Sequence, residues 1–87
     1  MTVKELADYL TIKARTDPDM EIILQKDAEG NGYSPLAGFD DNCRYLPDST
    51  YSGEVGLDYL TEGHRKKGYT EEDVGHGNRV IVLFPVN

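Results

Sequence analysis

Apolar positions along this chain change period twice, and the changes divide it. Val3, Leu6, Ala7, Leu10 and Ala14 recur at helical spacing, with Lys4, Glu5, Asp8 and Lys13 on the other side. That stripe predicts an amphipathic helix over residues 2–15 whose apolar face covers a sheet. Thr2 and Glu5 form a capping box at its start, and Arg15 suits the negative dipole end. Asp17-Pro18 ends it, because the residue before proline is pushed out of the α region. From Met20 the pattern becomes strand-like. Ile22 and Leu24 point one way and Ile23 the other, so residues 20–25 read as a first strand.

The glycine-rich run Asp27–Gly32 then turns the chain, and residues 33–39 read as a second strand. Pro35 lacks an amide and Gly38 has no side chain to pack, which makes that strand irregular or an edge. Residues 42–46 give a third strand, ended by Pro47-Asp48-Ser49, and residues 50–55 a further short one. Glycines 56, 63, 68, 75 and 77 break every period in 56–77, which reads as a surface excursion with one helical turn begun by Thr70. Residues 79–84 are rich in β-branched residues and apolar on both faces, which predicts a strand in the middle of the sheet that Pro85 stops.

The expected architecture is a single α+β domain over residues 1–87: one mainly antiparallel sheet of about four strands, with the N-terminal helix packed on one face. Leu6, Leu10, Ile22, Leu24, Val80, Val82 and Phe84 are its expected core. A chain of 87 residues supports only a thin core. The longest apolar run, 80–84, is far too short to span a bilayer, so no membrane partner is expected. The N-terminus opens on a helix signal rather than a secretion signal, and the lone Cys43 rules out an intrachain disulfide. Both features point to a reducing cytosol.

Charge is unevenly spread along the chain. The net charge is −7, and residues 27–63 hold eight acids against one base, Arg44. Such a surface repels nucleic acid and favours basic partners, so direct nucleic-acid binding is not expected.

Candidate chemistry is thin. Asp27, Glu29, Asn31 and Gly32 match the first positions of a calcium loop, but Gly38 stands where a bidentate carboxylate is needed. A polar hairpin turn explains the same residues, and no cofactor or metal is expected. Cys43, His64 and His76 lack the paired spacings of a zinc site. Neither they nor any other residues show a catalytic constellation, so no catalytic residue is assigned and an enzyme is not the expected class. A small hydrolase or metal-dependent enzyme stays as the reading from another class.

What remains is surface. Asp40, Asp41, Asp48, Glu54 and Asp58 fall among Tyr45, Tyr51 and Tyr59, a set suited to protein recognition because each tyrosine offers large area with a polar tip. These eight residues are the candidate partner-binding set. The alternative is that the acids imitate a nucleic-acid backbone and occupy a basic groove of a host DNA- or RNA-handling protein.

The runs TVKELADYL, KDAEGNGYSPLAGFDDN, YLPDSTYSGEV and VIVLFPVN together resemble a group of short bacteriophage and prophage proteins, the central GNGYSPL and the terminal PVN being the specific parts. The resemblance covers most of the chain outside 56–77 and brings no catalytic residues with it. It implies a viral accessory protein in the cytoplasm of an infected bacterial host, one that binds a host or phage macromolecule.

Overall fold

A computed structural model describes residues 1–86. In chain order the elements are α1 (Val3–Thr16), β1 (Ile23–Gln25), β2 (Tyr33–Pro47), β3 (Gly53–Leu57), α2 (Glu62–Lys66), a 3-10 turn (Glu71–Asp73) and β4 (Asn78–Pro85). The class is α+β, as expected, and every strand pair is antiparallel. The parallel contact is an isolated bridge from Leu57 to Val74.

α1 begins at the expected cap, with Thr2 Oγ1 accepting the Glu5 amide at 3.1 Å, one half of the predicted capping box. Its last turn carries Lys13 and Arg15 at the negative end of the dipole.

The sheet departs from expectation in three ways. The second and third strands are one: β2 runs unbroken for 15 residues and pairs with β1, β3 and β4. The irregularity expected from Pro35 and Gly38 is present, as a register shift against β4 at Leu36/Gly38, and a second shift at Asp40/Cys43 carries the ladder across the expected gap between the two strands. A bulge carries an extra residue without stopping the ladder. The central strand is therefore β2, and β4 pairs with β2 alone among the strands. The first strand is also shorter than expected, Ile23–Gln25, leaving Met20 and Ile22 outside it and exposed.

The predicted core does not form. Cys43 is the one buried hydrophobic residue among those described, and Ser34 the one buried polar residue. Leu6, Leu10, Leu24, Val80 and Val82 are half-buried, while Ile22 and Phe84 are exposed. Direct pairing of Phe39 with Leu83 puts these two and Ile81 on one face of the sheet, the face towards α1. Between that face and the helix stripe lies an open cleft of about 710 Å³ lined by Val3, Leu6, Leu10, Phe39, Ile81 and Leu83.

The whole chain is correspondingly open. Its accessible surface is 7266 Å², against about 5,100 Å² for a compact monomer of this mass. Its radius of gyration is 15.7 Å, against about 12 Å for a compact chain of this length.

Candidate functional site

The eight candidate residues fall into two groups along the β2–β3 hairpin. The tip holds Tyr45, Asp48, Tyr51 and Glu54; Asp40, Asp41, Asp58 and Tyr59 lie at the far end of β3, beside the Asp40/Cys43 bulge. Four to five residues of strand separate the groups, about 13–17 Å.

The tip is a rigid turn. Asp48 and Ser49 both donate their amides to the Ser52 carbonyl, at 3.1 and 3.2 Å. Ser49 Oγ accepts the amides of Tyr51 and Ser52 at 3.0 and 3.1 Å, and Ser52 Oγ donates to Asp48 Oδ1 at 2.6 Å. Serine and aspartate side chains stand in here for a backbone turn. The arrangement leaves the Tyr51 ring 96% exposed at the apex. Tyr45 behaves differently. Its ring lies over Gly53, where a Cβ would stand 2.6 Å from the ring edge, and is half-buried. Glu54 is exposed beside it, paired with Leu46 across the ladder.

The second group is tied into the fold. Asp58 accepts from Arg44 Nε through Oδ1 and from Arg79 Nε through Oδ2, each at 2.8 Å, and its side chain is only 9% exposed. Arg44 reaches on to the Gly77 carbonyl at 2.9 Å, so this carboxylate fastens β2, β3, β4 and the excursion together. Asn42 at the bulge adds to the clamp: its Oδ1 accepts the amides of Asp58 and Tyr59, and its Nδ2 donates to the Tyr59 carbonyl. Asp40 caps the Asn42 amide at 2.9 Å. Asp41 and Tyr59 remain exposed.

Sequence reasoning passed over Arg44, Arg79 and Asn42, whose partners lie 14 or more residues away. A signal was present, since Arg44 is the sole base in the acidic stretch and invites a carboxylate partner.

Of the side chains weighed for catalysis, Cys43 and His64 are used structurally, while His76 is exposed. Cys43 is buried in β2 between its ladder partners Leu57 and Val80. Burial, aided by the nearby Asp40 carboxylate, pushes its thiol above the ordinary range, away from the thiolate a nucleophile needs. His64 closes the α2 cap, with Nδ1 accepting the Thr61 amide at 3.2 Å, and its ring meets Tyr69 edge-on at 5.5 Å.

In the 27–32 turn, Asp27 Oδ1 accepts the amides of Asn31 and Glu29 at 3.1 and 2.9 Å. Those hydrogen bonds, Asn31's foremost, hold its carboxyl below the usual range. No group of three His, Cys, Asp or Glu side chains able to hold a metal occurs among the described residues.

No helix among the described residues is long and apolar enough to cross a membrane. Comparison with protein-family models, with curated proteins and with solved structures finds no match to the chain.

Proposed function

We propose that the protein is a small binding protein that acts by contact with another protein, using the tip of the β2–β3 hairpin. The observation that carries this is the fully presented Tyr51 ring on a turn stiffened by Ser49, Ser52 and Asp48. A pre-organised aromatic loses little conformational freedom on binding, and tyrosines are enriched among the residues that hold interfaces together. Asp48 and Glu54 beside it favour a partner surface with basic residues. The resemblance to phage and prophage proteins supplies the setting: a host or phage protein met in the cytoplasm of an infected bacterium.

Capture of partners from bacterial lysate with tagged protein, followed by binding kinetics on the captured partner, tests this. Tyr51→Ala should weaken binding at least tenfold, chiefly through faster dissociation. Glu54→Gln should act on the association rate and lose its effect in high salt. Silence of Tyr51→Ala would overturn the proposal. Loss of binding on charge neutralisation alone would instead favour imitation of a nucleic-acid backbone.

A further inference from the structure

We infer that the cleft between α1 and the sheet is a dimer interface, closed in solution by a second copy of this chain. A single chain exposes about 2,100 Å² more than a compact monomer of its mass, and apolar residues lining the cleft are among those left exposed. Phe39 is 65% exposed, Val3 65%, Leu83 44% and Ile81 43%. Permanent dimers bury about 2,000–5,000 Å² in total, half from each partner, so one chain's excess matches one partner's share.

The chemistry of the lining agrees. A two-fold interface must be complementary to itself, and this cleft has both halves of such a fit, a helix stripe (Val3, Leu6, Leu10) facing a sheet patch (Phe39, Ile81, Leu83). The one charged side chain in the lining is Arg79, already paired with Asp58. The identity of the occupant follows from when it is needed. A chain whose buried residues, among those described, are Cys43 and Ser34 lacks apolar burial whenever it is folded, and the partner guaranteed at that moment is another copy. Many permanent dimers have no stable folded monomer for this reason.

Charge gives the inference a signature of its own. Two chains of net charge −7 repel outside the interface, so salt should tighten the dimer by screening that repulsion. Contact between an acidic tip and a basic partner should weaken with salt instead.

Sedimentation equilibrium and thermal melting on the untagged full chain test the inference. At tens of micromolar the mass should be about twice 9.7 kDa, and the melting temperature should fall on dilution because dimer formation and folding are linked. Phe39→Glu should shift the chain to monomer and lower the melting temperature. Ile12→Glu, at an exposed helix position off the stripe, should leave both unchanged. If Phe39→Glu fails to fold, dilution of the wild type still decides the matter. A wild-type mass near 9.7 kDa with a melting temperature independent of concentration would overturn the inference. So would a dimer that survives Phe39→Glu but is broken by Tyr51→Glu.

Discussion

Two parts of this small protein meet the same shortage of apolar residues in opposite ways. Around the second half of β2 the chain is held by directional contacts: one nearly buried carboxylate takes two arginines, one asparagine side chain ties two amides and a carbonyl of the next segment, and two glycines allow backbones to touch. A Cβ on Gly56 would stand 2.5 Å from the Gly75 Cα, so no larger residue fits there without moving the excursion. Around α1 there is almost nothing of the kind. The helix has its own cap and a good apolar stripe, yet none of its residues is buried. Polar locks can finish a region within one chain, whereas an apolar face is finished only when something covers it.

The largest expected effect lies on the locked side. Asp58→Asn removes the charge that two arginines share. Breaking a fully buried pair costs roughly 3–5 kcal/mol; here Arg79 is 69% exposed, so about 2–3 kcal/mol is expected after solvent screening. Chemical denaturation should show this loss at every protein concentration. A change below half a kilocalorie would mean that the clamp is ornamental and the contrast between the regions is false.

A smaller and more conditional effect is expected from Leu10→Ala. Emptying a buried leucine site costs about 2–5 kcal/mol, but Leu10 is half-exposed in the single chain, so about 1 kcal/mol should be lost at sub-micromolar concentration. The cost should grow as the protein is concentrated and the second copy buries the site. Equal costs at high and low concentration would show that the helix is already seated within its own chain.

Much of this was legible in the sequence, and the failures have physical causes. α1 was readable because both its cap and its stripe are local, lying within a turn or two of each other. The turn at 27–32 was readable because glycine, asparagine and aspartate announce it. At the next, Pro47-Asp48-Ser49 marked the strand end, but residues 50–52, read as strand, belong to the turn and β3 runs Gly53–Leu57. The length of β2 was not readable, because Asp40-Asp41 looks like a break between strands 33–39 and 42–46, and only a partner strand able to accept a register shift keeps the two in one ladder. Residues 80–84 looked central because they are apolar on both faces. In the structure that second apolar face is the one bordering the cleft, so the pattern recorded a need for cover that the chain does not supply itself. Within the candidate site, Tyr51 was singled out as a recognition residue but placed in a strand instead of at the turn, and the structural role of Asp58 depends on arginines 14 and 21 residues away.

Native-state hydrogen exchange of backbone amides, followed at two protein concentrations, tests the contrast most directly. At sub-micromolar concentration the β2 amides around Cys43–Tyr45 should exchange only through global unfolding, while those of Leu6–Ala14 exchange through local opening at least a hundredfold faster. At a hundred times that concentration the α1 amides should slow towards the β2 rate. Equal protection of α1 and β2 at the lower concentration would contradict the account, since the helix would then be seated without a second chain.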